Sequence, residues 1–508
     1  MLNEIRQELR RFAETTGIKG VGRIVKTTSK VIRFFWLVSI LVCFAILLVQ
    51  VSSVFLTYTS HTVTRSSKVV HTKPIFPDVT ICNLDTGGNI SSKSYNGYLK
   101  TIETMMNYDL ELQITEDSQI WDYTKSIFDY NVNTPLLEEI GYSEEGFVVM
   151  CSQYGWDLFV PSDCKAKAVL TTPLQKCNKI ELDWSNGSVA AVSVLLFTNN
   201  FQSQIIDYYS PWIRISTGTG VRVMIHPNGT FPSPTTSIMV SSGNQLTIQL
   251  KQTNVNRLQE PYGNCTERKF LIPAKPDSPA YNAGACIGLC RQRQTIEKCE
   301  CLDNNEIFTE EEFDLANRTF CFNVTQTISD KPPLLEAVIR RLQQMQCLVS
   351  FEPNEDDCDC PIPCSETYYD SSASSSQWPN PSYHLSFYKQ FIQKNVLYGS
   401  KFSAYEEIMK NSENQTETLQ QIKSLRLIED NFLQVLMIFS EDTFQEFTDS
   451  AAITWATLVA NLGGSFNLWL GICVPTVAEI IELIYSLLVI VCCKRKTRES
   501  RPSVAEFP

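Results

Sequence analysis

Histidine is nearly missing from this chain of 508 residues: there are four, His61, His71, His226 and His384, and they are scattered. No two have the spacing of a zinc-binding helix motif, and no phosphate-cradling glycine loop or nucleophile elbow occurs. These absences argue against an enzyme, a catalytic residue set, a resident metal or any cofactor. A basic excess is also lacking, since the formal net charge is −12, which suits no nucleic-acid partner. There is no internal repeat of the solenoid kind. Most telling is a stretch without any charge, Phe34 to Leu56 (FFWLVSILVCFAILLVQVSSVFL). A helix of about 20 such residues crosses the hydrocarbon of a bilayer. The rival reading is a signal peptide. Against it stand the length of the apolar run, the 33 residues before it and the lack of a clean small-residue cleavage site.

A second apolar run extends from Ser450 to Ala478, meets Glu479 and Glu482, and resumes from Leu483 to Cys493. Charge orients both runs. Residues 1–33 hold eight Lys/Arg against three Glu, and residues 494–508 hold five against two, giving +5 and +3. Basic flanks stay in the cytosol, so both ends are expected inside. With −2 from Glu479 and Glu482, about −18 is left on the segment between the runs, a surface that gathers cations.

What is abundant is cysteine. Of 18, fourteen lie from Cys82 to Cys364, and the other four (Cys43, Cys473, Cys492, Cys493) sit in or beside the apolar runs. An even number at tight spacings reads as seven disulfides in an oxidising compartment. Sequons at Asn89, Asn186, Asn228, Asn317, Asn323 and Asn414 fall in the same segment, as does Asn264, which adjoins Cys265. Cys286 and Cys290 share one face of a helix, about 6 Å apart along its axis. Cys358 and Cys360 share one face of a strand, about 6.6 Å apart. The two pitches match, so two disulfides could rivet a helix to a strand. Cys299 and Cys301 offer a further close pair for Cys321 and Cys347. A zinc site is the rival reading, and the sequons and membrane run count against it. Such a ladder of staples suggests a stiff lever.

Between the runs, Phe76 to Cys82 is strand-like, Val221–Ile225 and Gln245–Lys251 alternate as half-buried strands, and 432–439 (FLQVLMIF) reads as a buried strand. Asp330, Pro332 and Pro333 open a helix whose apolar residues Leu334, Leu335, Val338, Ile339, Leu342 and Met345 repeat at helical spacing. Ser371 to Ser376 reads as an exposed loop.

The second apolar run is odd for an anchor. Gly463-Gly464 and Pro475 are weak points in a helix, and Asn461, Ser465, Asn467 and Thr476 are polar at membrane depth. Glu479 and Glu482 lie three apart, on one face. Intramembrane carboxylates are costly and usually face a bundle interior or water. With glycines that bare backbone carbonyls, they fit a cation pathway, which one helix cannot enclose alone. The plainer alternative is an anchor whose two acids already lie among the inner headgroups.

Phe76-Pro77-Asp78-Val79-Thr80-Ile81-Cys82-Asn83, the order of the fourteen cysteines, Pro261-Tyr262-Gly263-Asn264-Cys265, Cys360-Pro361-Ile362-Pro363-Cys364, Gln377-Trp378-Pro379 and Leu462-Gly463-Gly464 through Glu482 carry a resemblance over nearly the whole chain. Together they resemble the superfamily of degenerins, epithelial sodium channels and acid-sensing ion channels. The resemblance implies a membrane protein of α+β class, with palm, knuckle, finger, thumb and β-ball, assembled as a homotrimer in the plasma membrane. It implies a cytoplasmic segment 1–33, transmembrane helices 34–56 and 450–493, an extracellular domain 57–449 and a cytoplasmic tail 494–508. It implies disulfides Cys82–Cys177, Cys151–Cys164, Cys265–Cys364, Cys286–Cys360, Cys290–Cys358, Cys299–Cys347 and Cys301–Cys321. Gly463, Gly464, Ser465, Gly471, Ile472, Cys473, Glu479 and Glu482 fall on its pore helix, and Tyr262 on its gating-coupling loop. Two motifs depart. Cys473 replaces the serine of the family's Gly-x-Ser break, and Lys19-Gly20 replaces its amino-terminal His-Gly.

The function so implied is a sodium-preferring, amiloride-sensitive channel gated from outside. The chain looks most like FMRFamide-gated sodium channels. An amidated peptide with an Arg wants aromatic walls and a carboxylate, and Trp121, Asp122, Tyr123, Phe128, Asp129 and Tyr130 are the candidates, against a plainer role in packing. Proton-gated and constitutively active channels are the alternatives within the superfamily. A non-conducting two-pass adhesion or receptor glycoprotein is the alternative outside it.

Overall fold

The structure, a computed structural model, describes residues 2–84, 144–157, 160–171, 175–185, 187–202, 219–233, 237–272, 275, 278–303, 305–316, 319–321, 343–344, 346–348, 350–410 and 415–499. The chain divides into two compact units. One comprises 1–66, 260–263 and 449–508; the other comprises 67–259 and 264–448.

The first unit is helical. It holds α1 (Leu2–Thr15), α2 (Val21–Lys26) and α3 (Lys30–Thr59), then, from the carboxyl end, Trp455–Leu470 and Val474–Glu499. The uncharged run 34–56 lies inside α3. Apolar side chains point outward around the whole helix, with Phe34, Phe35, Leu41, Val49 and Leu56 all exposed. Such a helix demands an apolar solvent. Two helices, Lys30–Thr59 and Val474–Val491, are long and apolar enough to cross a membrane. The second helical run starts later than the apolar composition suggests. Strand β15 (Phe444–Ala451) takes its first residues, and Thr454 then caps the helix by accepting the Thr457 amide.

The second unit is built on two sheets. The larger has the order β1 (Val63–Val70), β15, β10 (Asn244–Asn256), β14 (Phe432–Phe439), β7 (Val189–Phe197), β3 (Val148–Gly155), β4 (Pro161–Asp163), with β13 (Ser365–Gln377) also paired to β10. Its middle is the most apolar part. β7 (VAAVSVLLF) is buried at every position, and β14 lies between it and β10, parallel to β10 and antiparallel to β7. Strands covered on both faces read as continuous apolar runs, which is why 432–439 shows no alternation. The smaller sheet runs β5 (Lys165–Thr171), β6 (Gln175–Glu181), β2 (Asp78–Asn83), β8 (Val221–His226), β9 (Ile238–Val240). Phe76, Ile81, Val194, Val223, Ile248 and Leu433 belong to one core cluster. A second cluster gathers Phe197, Tyr398, Phe402, Tyr405 and Phe432.

Two expectations need correcting. Ser371–Ser376 is no loop. It is the outer half of β13, in antiparallel register with β10 from Asn244 opposite Gln377 to Asn256 opposite Ser365. Serine reads as turn-forming, but here a partner strand of thirteen residues supplies the ladder and the serines stay exposed. Cys358 and Cys360 lie outside any strand, Cys358 closing a short 3₁₀ turn, Glu355–Asp357, in extended backbone. The helix they face is α4 (Ala283–Cys299), capped by Asn282 accepting the Ala285 amide. The helix expected from Asp330 lies outside the described residues.

The structure holds Cys82–Cys177, Cys151–Cys164, Cys265–Cys364, Cys286–Cys360, Cys290–Cys358, Cys299–Cys347 and Cys301–Cys321. The pair that rivets α4 has Cα–Cα distances of 5.7 and 5.9 Å. Loops of 68 to 99 residues are closed by the longer staples. Each is worth about 4–5 kcal/mol in the chain-entropy picture.

His226, at the end of β8, is enclosed. Thr80 and Thr230 hydroxyls meet its two ring nitrogens at 3.1 and 3.2 Å. Burial pushes its pKa down to about 4, with Asp78 opposing and Lys179 assisting. The native imidazole is therefore neutral while the unfolded one protonates below about 6.5. Stability is present above pH 6.5 and is lost as pH falls toward 4, about 3 kcal/mol in all from this group. Thermal unfolding of the full-length protein should show that loss, and His226→Gln should flatten it. A variant with an unchanged pH slope would contradict the assignment.

Candidate functional site

The site lies wholly in the helical unit, where a membrane helix is interrupted. The two carboxyl-terminal helices, here α5 (Trp455–Leu470) and α6 (Val474–Glu499), are separated by Gly471-Ile472-Cys473. Gly463 and Gly464, expected as weak points, stay inside α5, so that expectation is corrected: their backbone keeps the helical ladder. Gly471 sits at φ 69°, in the left-handed region that terminates helices and that a glycine takes without penalty. Its amide and that of Ile472 turn back to the Asn467 and Phe466 carbonyls at 3.0 and 3.2 Å. Pro475, in the first turn of α6, loses no bond there. Thr476 is buried and serves the break: its Oγ1 lies 3.4 Å from the Cys473 amide and 3.3 Å from Cys473 Sγ.

The amino-terminal segment Thr16–Gly20 closes over this break. The Lys19 amide donates to the Leu470 carbonyl at 3.1 Å. The Lys19 stem then crosses Gly471 so closely that a methyl there would stand 2.9 Å from Lys19 Cγ. Gly20, at φ 93°, turns the chain into α2, with Ile40 of α3 against its other side. Glu479 holds the near end, accepting the Gly17 amide at 2.9 Å and the Thr16 hydroxyl at 3.1 Å on the same oxygen. One turn on, Glu482 lies 3.6 Å from Arg11 of α1. Ser465 donates back to the Asn461 carbonyl at 2.7 Å, and Trp469 Nε1 reaches Gln50 of α3 at 2.7 Å.

The structure thus brings Lys19, Gly20, Gly471, Cys473 and Glu479 together. It turns Glu479 and Glu482 toward the amino-terminal segment and α1. Thr16, Gly17 and Arg11 escaped sequence reasoning, whereas Thr476 stood out only as polar at membrane depth. Short polar side chains in a basic terminus carry no visible signal, and their partners are hundreds of residues away.

Tyr262 belongs to the same unit but stands elsewhere. Its ring meets His61 edge-on, with centroids 5.3 Å apart, just beyond the last residue of α3. His61 was also unforeseen. Trp121, Asp122, Tyr123, Phe128, Asp129 and Tyr130 lie outside the described residues, as do Asn89, Asn186, Asn317, Asn323 and Asn414. Asn228 occupies an exposed turn after β8.

A family model described as amiloride-sensitive sodium channel matches residues 12–483. Among known proteins, the chain is similar to an FMRFamide-activated amiloride-sensitive sodium channel of Cornu aspersum, 24% identical across 92% of this chain and 81% of that one. It is similar to degenerin-like protein asic-2 of Caenorhabditis elegans, 22% identical across 93% and 85%. It is also similar to the epithelial sodium channel subunit alpha of Mus musculus, 26% identical across 54% of this chain and 34% of that one.

Removing the acceptor tests the clamp directly. Glu479→Ala strands the Gly17 amide and the Thr16 hydroxyl, each bond to a charged group being worth about 1.5–3 kcal/mol before exposure discounts it. Hydrogen exchange at Gly17 and Ile18 in the full-length protein should accelerate by about tenfold or more. Glu479→Gln, which keeps an oxygen acceptor, should stay near the parent rate. Equal protection in all three proteins would mean that other contacts hold the segment.

Proposed function

The chain belongs to the amiloride-sensitive sodium channel family, and from that premise we propose that it is one subunit of a trimeric, sodium-preferring channel opened from outside by an amidated peptide of the FMRFamide type. The observation that carries this reading is the interrupted helix with a second segment of the chain docked on the interruption. An anchor needs neither. Among the described residues, the carbonyls of Leu468, Trp469, Gly471 and Ile472 accept no backbone hydrogen bond. Facing lipid, each bare carbonyl would cost several kcal/mol. Facing a wet passage, they are cation ligands.

The trimer is supported by what one chain leaves open. A methyl added at Gly463 or Gly464 would meet nothing within 4 Å, so their smallness answers to no neighbour in the same subunit. Small residues suit close approach by another helix. Ion passage would then run along α5, past Ser465, to the break at Gly471-Ile472-Cys473. Tyr262 would act as the coupling element, since pressure on residues 260–263 reaches the outer end of α3 through His61. The termini would lie in the cytosol and Asn228 would carry a glycan outside, at the plasma membrane.

Peptide gating is supported by the likeness to the Cornu aspersum protein, which is FMRFamide-activated. The aromatic and acidic residues Trp121, Asp122, Tyr123, Phe128, Asp129 and Tyr130 remain the proposed contacts.

Voltage clamp of cells expressing the chain tests the whole reading. FMRFamide should evoke an inward sodium current that amiloride blocks. A current evoked by acid and not by peptide, or one that flows without either, would replace the trigger and keep the channel. Absence of current under all three conditions, with surface protein confirmed, would favour the two-pass receptor reading.

A further inference from the structure

Resting on the channel reading above, we propose that Lys19 is a specificity-determining residue: held across the helix break, its ammonium stands as a fixed positive charge beside the ion path and turns divalent cations away more strongly than monovalent ones. Three contacts place it. Its own amide is tied to the Leu470 carbonyl at 3.1 Å. Its stem runs in the groove left by the absent side chain of Gly471, where an added methyl would lie 2.9 Å from Cγ and 3.2 Å from Cδ. On its other side Gly20 is seated against Ile40 and Trp36 of α3. The residue is therefore presented where the carbonyls that end α5 are bare.

Its charge is not consumed locally. Lys19 is exposed and enters no ion pair among the described residues. The two acids of α6 are engaged elsewhere, Glu479 with Gly17 and Thr16, and Glu482 with Arg11. Repulsion by a fixed charge scales with the charge of the passing ion. If the lysine lowers sodium occupancy about threefold, it lowers calcium occupancy about ninefold. Three copies around an axis would compound the effect.

Glu479 then has a role beyond its own charge. It is a positioning residue: by gripping Thr16 and Gly17 it keeps Lys19 over the break. This gives the two carboxylate roles opposite signs. Were Glu479 simply a negative group lining the path, removing it would disfavour calcium. As the grip on Lys19, removing it releases the lysine and favours calcium.

The experiment is the reversal potential of the evoked or steady current in full-length channels, with external sodium exchanged for calcium. Lys19→Gln should raise the calcium-to-sodium permeability ratio by about threefold or more, and Lys19→Arg should leave it within about twofold of the parent. Glu479→Ala should raise the ratio, while Glu479→Gln, which keeps the acceptor oxygen, should stay near the parent. An unchanged ratio in a conducting Lys19→Gln channel overturns the proposal. A lowered ratio in Glu479→Ala overturns the positioning role. Should Lys19→Gln fail to reach the surface, the Glu479 pair still decides by its sign. No current from the parent chain, with surface protein confirmed, overturns the channel reading itself and this proposal with it.

Discussion

A polar group inside a bilayer has no water to fall back on, and that constraint organises the helical unit. Interrupting a membrane helix at Gly471 frees carbonyls at the end of α5 and amides at the start of α6. The molecule answers part of this demand from within. The glycine and Ile472 amides fold back on Asn467 and Phe466, Thr476 attends to Cys473, and Pro475 removes one amide from the account. The Leu470 carbonyl is answered from the opposite terminus, by the Lys19 amide. The same logic applies to Glu479. A carboxylate at that depth needs donors, and the Gly17 amide and Thr16 hydroxyl supply them. Break, lysine and acid are therefore one arrangement, and none of the three is intelligible alone.

The second unit solves a different problem by different means. Its central strands are buried, with apolar residues at every position of β7 except Ser193, which accepts from Gln434, and near-continuous ones in β14. Its periphery is thin in apolar contacts, and there the cysteines concentrate. The rivets from α4 to the segment around Cys358 and Cys360 hold backbone that has no ladder to hold it. Polar contacts reinforce the same place, with Arg268 donating to the Asp359 carboxylate and carbonyl, and Gln294 bridging to Asn354.

How much of this was legible depended on distance along the chain. Local patterns spoke clearly for the charge-free run inside α3, the alternation in β10 and the buried run of β14, but β8, expected to be half-buried, is covered on both faces, with Arg222 and Met224 buried too. Spacing alone indicated that Cys286 and Cys290 could meet Cys358 and Cys360, but a full pairing scheme came only from the resemblance, because fourteen cysteines admit far too many connectivities. Composition misled at Ser371–Ser376, where a partner strand overrode the local preference. It misled again at Ser450, where an apolar beginning belonged to β15. The clamp was invisible because Thr16 and Glu479 are separated by 463 residues and Thr16 belongs to no motif. Two carboxylates three apart looked like a matched pair facing one passage, and only coordinates show that each faces a different amino-terminal partner.

That separation has a consequence for how the molecule is made. At about 5–20 residues per second, synthesis of the stretch from Thr16 to Glu479 occupies roughly 25–90 seconds. Throughout that interval the amino terminus has emerged and has nothing to hold. The grip can form only after the last helix, which carries Glu479, has been made. Closure of the two ends is thus among the final events of biogenesis, and a ribosome that stalls before the last helix releases a chain whose front end can never be fastened.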